Sequence, residues 1–311
     1  MQQTVQILLA TYNGERFLHE QLDSLFNQTF QDFSVLVRDD QSTDNTLHII
    51  QEYQLKYADK IKIITDEKKN VGATQNFNLL LANTNADYIF FCDQDDIWLP
   101  HKMEKSLALI STIEMDKNMP CLIYADMKSI NDLGEVTAKS VWKQLHLSPK
   151  YFTLNRLLIQ NIPHGCTMLI NKAMRDMAFP IPETALLHDH WIALLAATCG
   201  QAIAIEEPLL LLRNHSENVT RKQTNFSDKM KRYSNNAISS NMYEYFIRIR
   251  VQQAKALQSR IGAKASEHVQ LAIQNFIALE TTKGLRRKLI FLQNKFYRTT
   301  FWHTFKMIVR A

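Results

Sequence analysis

Asp93, Asp95 and Asp96 stand within four residues, directly after the apolar run 88–92. Carboxylates this close repel one another, so the group is costly unless a cation or hydrogen bonds offset the charge. Oxygen ligands suit Mg²⁺ or Mn²⁺ better than zinc. Mg²⁺ commonly takes one or two protein carboxylates and completes its shell with substrate phosphates. The same residues can also be read as a solvated turn, with Asp96 capping a helix that starts at 98–100; for Asp96 alone the cap is the expected role. Two further polar clusters, Thr11-Tyr12-Asn13-Gly14 and Arg38-Asp39-Asp40, each end an apolar run. No Ser–His–Asp or Cys–His pattern supplies a covalent nucleophile.

These clusters need elements to hold them. Residues 5–10 read as a buried strand, and Leu18, Leu22, Leu25 and Phe26 follow at helical spacing. A second strand covers 33–37. Ser42-Thr43-Asp44 offers N-cap chemistry for a helix reaching about Tyr57. A third strand covers 61–65, Gly72 precedes a helix with Phe77, Leu80 and Leu81, and a fourth strand covers 88–92. A helix after Pro100 and a strand at 121–124 continue the alternation. Strand and helix in turn, with short connections, predict a parallel, doubly wound α/β sheet. Ligands of such sheets bind beyond the carboxyl ends of the strands, and all three polar clusters fall on that edge. The glycine-rich loops of dinucleotide oxidoreductases and P-loop ATPases are absent, which argues against both.

The second half is less regular. Residues 162–170 read as a turn feeding a strand, and His188-Asp189-His190-Trp191 opens an apolar helix. Residues 203–212 read as two strand pieces broken at Glu206-Glu207-Pro208, and beyond Thr220 the chain looks helical and basic.

Composition bounds the possibilities. The chain has 311 residues, 46% hydrophobic and 22% charged, which fits a globular protein of one large domain with an appendage or of two modest ones. Charge is split unevenly: residues 1–220 carry 18 basic and 27 acidic side chains, residues 221–311 carry 18 and 4. The basic part should seek an anionic surface. Four cysteines without C-x-x-C spacing argue against a disulfide scaffold and a thiolate zinc site, and favour a reducing compartment. No basic, apolar leader opens the chain, and no apolar run approaches the roughly 18 residues of a membrane span.

Several motifs in order resemble the inverting family 2 glycosyltransferases of GT-A fold. Ala10-Thr11-Tyr12-Asn13-Gly14 is similar to the family's opening loop, Arg38-Asp39-Asp40-Gln41-Ser42-Thr43-Asp44 to its second motif, and Asn70-Val71-Gly72 with Asn76 to its nucleotide-side loop. Asp93-Gln94-Asp95 matches its D-x-D signature. The resemblance implies a mostly parallel α/β sheet flanked by helices. Residues 1–220 would be the catalytic domain, nucleotide-sugar binding over 1–127 and acceptor side over 128–220, with a basic helical extension at 221–311. It implies donor contacts from Thr11, Tyr12, Asn13, Glu15, Asp40, Gly72, Asn76, Asp93 and Gln94. Asp95, with Asp93 and His215 of Arg213-Asn214-His215-x-x-Asn218, would hold Mg²⁺ or Mn²⁺. Asp189 would be the catalytic base, with His188 where the family usually has Glu. His164, Gly165, His188 and Trp191 would lie on the acceptor side. Within the family, Asp93-Gln94-Asp95-Asp96-Ile97-Trp98 and the segments around Asp189 and His215 look most like bacterial rhamnosyltransferases that use dTDP-β-L-rhamnose on lipid-linked or polysaccharide acceptors.

Physical chemistry assigns the tasks such a transfer needs. A divalent ion offsets charge on the departing pyrophosphate, and a carboxylate takes the acceptor proton. One in-line attack inverts the anomeric centre, turning a β-linked donor into an α-linked product.

The tail carries its own expectation. Leu285, Leu289, Leu292 and Phe296 form a helical stripe among Arg286, Arg287, Lys288, Lys295 and Arg298, and Phe301, Trp302, Phe305, Ile308 and Val309 follow. A cationic amphipathic helix suits an anionic membrane surface, which would place the protein in the cytoplasm, peripheral at the inner face of the plasma membrane. The alternative is packing on the catalytic domain or on a second copy as a homodimer. A nucleic-acid partner is not expected, because the first part is acidic and no RNA or DNA motif is present. A sugar nucleotidyltransferase is the competing enzyme class, but it would bring a glycine-rich, basic first loop.

Overall fold

Val5–Thr11 forms β1, and only Gln6 of its seven residues is not fully buried, as expected for a strand covered on both faces. The protein is described by a computed structural model over residues 3–215, 240–262 and 265–310. Strands β2 (Ser34–Asp39), β3 (Ile61–Ile64) and β4 (Tyr88–Cys92) join β1 in parallel, in the order β3-β2-β1-β4. The helices α1 (Leu18–Phe26), α2 (Thr46–Lys56) and α3 (Ala73–Ala82) make the crossovers. The parallel register brings Thr11 beside Asp39 and sets Leu9 against Cys92, so the first, second and fourth strands end on one edge.

Beyond β4 the sheet becomes mixed. Its order continues β8-β6-β9-β5, with β7 beside β6. These strands are β5 (Ile97–Trp98), β6 (Cys121–Ile130), β7 (Val136–Ala138), β8 (Leu169–Asn171) and β9 (Gln201–Arg213). β8 runs antiparallel to β4 and β6, whereas β6 and β9 are parallel. The helices here are α4 (Lys102–Ile113), the single turns α5 (Val141–Gln144) and α6 (Leu154–Leu157), then α7 (Lys172–Ala178) and α8 (His188–Cys199).

Two local readings of the sequence change. Residues 201–213 are one strand, and the break expected at Glu206-Glu207-Pro208 is a shift in register: Ala125 pairs with Ile205, but Asp126 pairs with Pro208. Proline lacks a ladder donor and fits where a strand bulges. Asp96 caps no helix: α4 begins only at Lys102, after His101, and Asp96 precedes β5 as a buried carboxylate.

The sheet is covered on both faces. One buried cluster joins β1, β2 and β4 to α1, α2 and α4, through residues such as Leu22, Ile50 and Met103. The other includes Phe77, Phe91 and Trp191, and it continues without interruption into the C-terminal helices α9 (Ser240–Ile261), α10 (Glu267–Ile277), α11 (Gly284–Gln293) and α12 (Phe301–Arg310). Ile247, Val251, Phe276, Phe291 and Phe296 belong to it. Arg250 is drawn in as well: its Nε donates to Ile159 O at 2.9 Å, and burial lowers its pKa to about 9.

This shared core makes a prediction. Phe276→Ala should cost about 3–5 kcal/mol and lower the melting temperature by roughly 10 °C. A calorimetric scan should show one transition shifting as a whole. Two separate transitions, with only one of them moved, would mean that the extension folds on its own.

Candidate active site

The loop after β1 is tied to its neighbours by side chains. Thr11 Oγ1 donates to Asp39 Oδ2 at 2.7 Å, and Asp39 also accepts the Ser42 N–H and hydroxyl at 2.7 and 2.6 Å. Asn13 has φ 50°, a left-handed conformation that asparagine tolerates. Its side-chain oxygen accepts Thr43 N–H at 2.8 Å, and its own N–H reaches Ser42 Oγ at 2.8 Å. Glu15 accepts Asn45 N–H at 2.9 Å and so braces the start of α2. Asp44 accepts the Thr46 N–H at 3.0 Å, but the cap position is Asn45, whose side chain makes no cap bond, so the N-cap expected from Ser42-Thr43-Asp44 does not form.

Arg38 organises the second loop. Its guanidinium is buried and grips Asp66 with two bonds of 2.7 and 2.9 Å. It also donates to Lys68 O at 2.9 Å, and to Asp40 and Asn76 at 3.2 Å each. Asp40 in turn accepts the N–H groups of Val71 and Gly72 at 3.0 and 2.9 Å. Gly72 has φ 79°, a region that favours glycine, and α3 starts there. Asp40, Gly72 and Asn76, three predicted donor residues, are therefore assembled around one cation. Sequence reading passed over Asp66, which lies 28 residues from its partner.

The acidic loop follows β4. Gln94 makes a reciprocal amide pair with Tyr12, accepting its N–H at 2.7 Å and donating to its carbonyl at 2.9 Å. Tyr12 leaves its ring about half exposed beside this pair. Asp95 Oδ2 meets His215 Nε2 at 2.7 Å, linking the loop to the end of β9 across 120 residues. Arg213 reinforces that link. Its backbone N–H donates to Asp96 Oδ1 at 3.1 Å, its Nε to Asp95 O at 3.2 Å, and its Nη2 to Glu20 at 2.6 Å. Asn214 donates to Ser129 Oγ on β6. Asn218 of the same motif lies outside the described residues.

Asp95 and His215 offer a carboxylate and an imidazole side by side, a donor pair suited to Mn²⁺ and compatible with Mg²⁺ when phosphates complete the shell. Burial raises the pKa of Asp93 to about 7, with Asp95 and then Asp189 adding to the rise. A carboxylate held this way gains from a nearby cation, so the residues fit the divalent ion that the sequence suggests. Asp93, Asp96 and Cys166 also offer ligand atoms within 4.8 Å of one another. Burial pushes Asp96 and the Cys166 thiol well above their usual ranges, which favours their protonated forms over metal-binding anions. Beneath them Lys102 is fully buried, its ammonium 3.2 Å from the Trp98 ring centroid, and burial brings its pKa down to about 7.

Asp189 stands in the first turn of α8. It accepts Gly165 N–H at 3.1 Å and its neighbour His190 N–H at 2.5 Å. Burial outweighs those donors and lifts it to about 7. The loop that bonds Asp189 through Gly165 also reaches the acidic loop, since the Cys166 thiol lies within 4.8 Å of an Asp93 carboxylate oxygen. His188 lies below Gly165, its ring 4.1 Å from that of Phe77 and 5.3 Å from that of Phe91, and burial holds its pKa near 3. It is a neutral packing group there. His164 is likewise kept neutral, its pKa lowered to about 4 by burial. Trp191 is fully buried and donates to Ala178 O at 3.0 Å, which takes its ring away from any acceptor.

Comparison with known proteins shows the family. The sequence profile of Glycosyl transferase family 2 matches residues 6–177. The chain belongs to that family. It is 32% identical over 235 residues to the dTDP-rhamnosyl transferase RfbG of Shigella flexneri, covering 72% of this chain and 77% of that protein. It is 30% identical over 178 residues to the UDP-Glc:alpha-D-GlcNAc-diphosphoundecaprenol beta-1,3-glucosyltransferase WfgD of Escherichia coli, covering 57% and 64%. Among solved structures, S. aureus TarS 1-349 in complex with UDP-GlcNAc superposes with a TM-score of 0.60 at 18% identity, over 94% of this chain and 80% of that one. The mannosyltransferase PcManGT of Pyrobaculum calidifontis in complex with GDP-Man and Mn²⁺ gives 0.51 at 12% identity, over 95% and 85%. These likenesses identify the fold as GT-A, and the protein is a glycosyltransferase.

In this glycosyltransferase Gly165 has no room for a side chain, since an added Cβ would lie 2.4 Å from His188 Nε2 and the imidazole is wedged between two phenylalanines. Gly165→Ala should displace the loop that bonds Asp189, cutting kcat by about 10²-fold or more and lowering the melting temperature by roughly 5 °C; steady-state kinetics and a thermal melt check both. The pH dependence has a defined sign. If Asp189 takes the acceptor proton, it is inactive when protonated, and activity should rise with pH through a midpoint near 7. A rate that stays flat between pH 5 and 8 would contradict that role.

Proposed function

We propose that the chain transfers L-rhamnose from dTDP-β-L-rhamnose to a hydroxyl of a lipid-linked or polysaccharide acceptor, with inversion and with a divalent metal. The observation that carries this reading is one loop joining two carboxylates: Gly165 N–H bonds Asp189 at 3.1 Å, and the thiol of the next residue, Cys166, lies within 4.8 Å of Asp93 beside the Asp95–His215 pair. The 32% identity to a dTDP-rhamnosyl transferase over 77% of its length supports the donor.

Asp189 accepts the acceptor proton as the hydroxyl oxygen attacks the anomeric carbon. The bond from that carbon to the phosphate oxygen breaks, and its electron pair leaves with dTDP. Attack opposite the leaving group gives the α-linkage. Asp95 and His215, with Asp93 near, would hold Mg²⁺ or Mn²⁺, and a bound ion would supply positive charge against the departing pyrophosphate. Thr11, Tyr12, Asn13, Glu15 and Gln94 form the wall of the donor site, and Asp40 with Gly72 and Asn76 shapes its nucleotide end. Gly165 and His164 form the acceptor-side loop. We assign this work to the cytoplasmic face of the membrane that carries the acceptor lipid.

Transfer from another nucleotide sugar is the second reading, favoured by the match to WfgD, whose name specifies UDP-Glc. A screen of dTDP-, UDP- and GDP-sugars against a lipid-linked rhamnosyl acceptor, with and without EDTA, separates the two. Turnover of dTDP-rhamnose alone, abolished by EDTA and restored by Mn²⁺, is the expected result; preference for a UDP-hexose would overturn the donor. Asp189→Asn should lower kcat by about 10²–10⁴-fold, while calorimetry still detects donor binding. His215→Ala should raise the Mn²⁺ concentration needed for half-maximal rate at least tenfold.

A further inference from the structure

The C-terminal stripe read from the sequence divides: Phe296 enters the core, whereas its three leucines do not. In α11 the buried residues are Arg287 and Phe291, and Phe296 is buried just beyond. Arg287 bonds Glu244 with both of its terminal nitrogens, at 2.6 and 3.1 Å. Leu285, Leu289 and Leu292 lie on the opposite, exposed side, Leu285 at 74%. The neighbouring helix α12 repeats the arrangement: Met307 and Thr304 are buried, whereas Trp302, Phe305 and Val309 are exposed. Spacings of i, i+4, i+7 in α11 and i, i+3, i+7 in α12 put each exposed set on one helical face.

From these positions we infer that α11 and α12 form a docking face for an anionic phospholipid bilayer, entering the headgroup region without crossing it. Each helix has ten residues, about 15 Å of length, against roughly 30 Å of hydrocarbon. No helix among the described residues is long and apolar enough to cross a membrane. Charge selects the partner. Residues 283–310 contain eight lysines and arginines and no carboxylate side chain, and Lys283, Arg286 and Lys295 are exposed beside the leucines. Anionic lipid complements this face in both charge and polarity. A second copy would set like charges against each other, and a nucleic acid would leave the leucines unused.

The face is also mechanically linked to the acceptor side. Asn155 donates to Asn294 O, and Arg156 to Arg298 O at 3.1 Å. Gln160 accepts Thr299 N–H at 3.2 Å. The chain then reaches His164 and Gly165 within five residues. A bilayer bound by α11 and α12 would thus sit beside the loop where a lipid-borne acceptor must enter.

Trp302 makes the test direct, because it is 68% exposed whereas Trp98, Trp142 and Trp191 are at most 4% exposed. Full-length protein should be mixed with phosphatidylglycerol vesicles, phosphatidylcholine vesicles or buffer alone. We expect cosedimentation with phosphatidylglycerol at least tenfold tighter than with phosphatidylcholine. Trp302 emission should shift to the blue and be quenched by brominated lipid. Leu285→Glu with Leu289→Glu should weaken binding at least tenfold at an unchanged melting temperature. If that pair lowers the melting temperature, Arg286→Glu with Lys295→Glu replaces it, with the same expected loss. Absence of quenching by anionic vesicles at low salt would overturn the inference. So would a stable dimer, seen by light scattering without lipid and dissolved by the leucine substitutions. Neither donor nor acceptor is present in this assay, so its outcome is separate from that of the proposed reaction.

Discussion

Burying carboxylates without neutralising them all is the constraint around which this molecule is built. The end of β4 carries three aspartates on four successive positions, and a fourth, Asp189, approaches from α8. Left to solvent they would all ionise and repel. Each instead has its own treatment: Asp95 meets His215, Asp96 takes a backbone N–H from Arg213 and goes into the core, and Asp93 and Asp189 stay poised near neutrality. The long strand β9 exists in this context to deliver Arg213 and His215 to the loop, which explains why its register shifts near Pro208 rather than ending there.

The loops after β2 and β3 follow a different rule. Arg38 is buried with one carboxylate gripped in a two-bond fork and a second at its edge, and its acceptors come from the end of β2 (Asp40), the loop after β3 (Asp66 and Lys68) and α3 (Asn76). A fixed planar cation is suited to this work because its donors point in set directions. These loops are thereby assembled before any ligand arrives, which would limit the conformational entropy lost if one binds there.

Much of the frame was legible in the sequence. Four apolar runs, each followed by polar residues, gave the strands and the edge where they end, because period and strand length are local properties. Partnerships across long separations were not legible. Nothing near Arg38 announces Asp66, and Lys102 reads as an ordinary residue of a helix start although it lies under Trp98. Asp96 looked like a cap because an aspartate before a helix commonly is one; its burial depends on Arg213, more than a hundred residues away. In the tail, periodicity identified which residues share a face of the helix but not which face is covered. That choice was made by Glu244, which holds Arg287 inward and turns the leucines out.

Gln94, the middle residue of Asp93-Gln94-Asp95, bonds both backbone groups of Tyr12, and it passes so close to Gly14 that an added Cβ there would sit 2.4 Å from its amide oxygen. The amide therefore works as a rivet between the loops that follow β1 and β4. A swing of either loop has to carry the other with it or break both bonds.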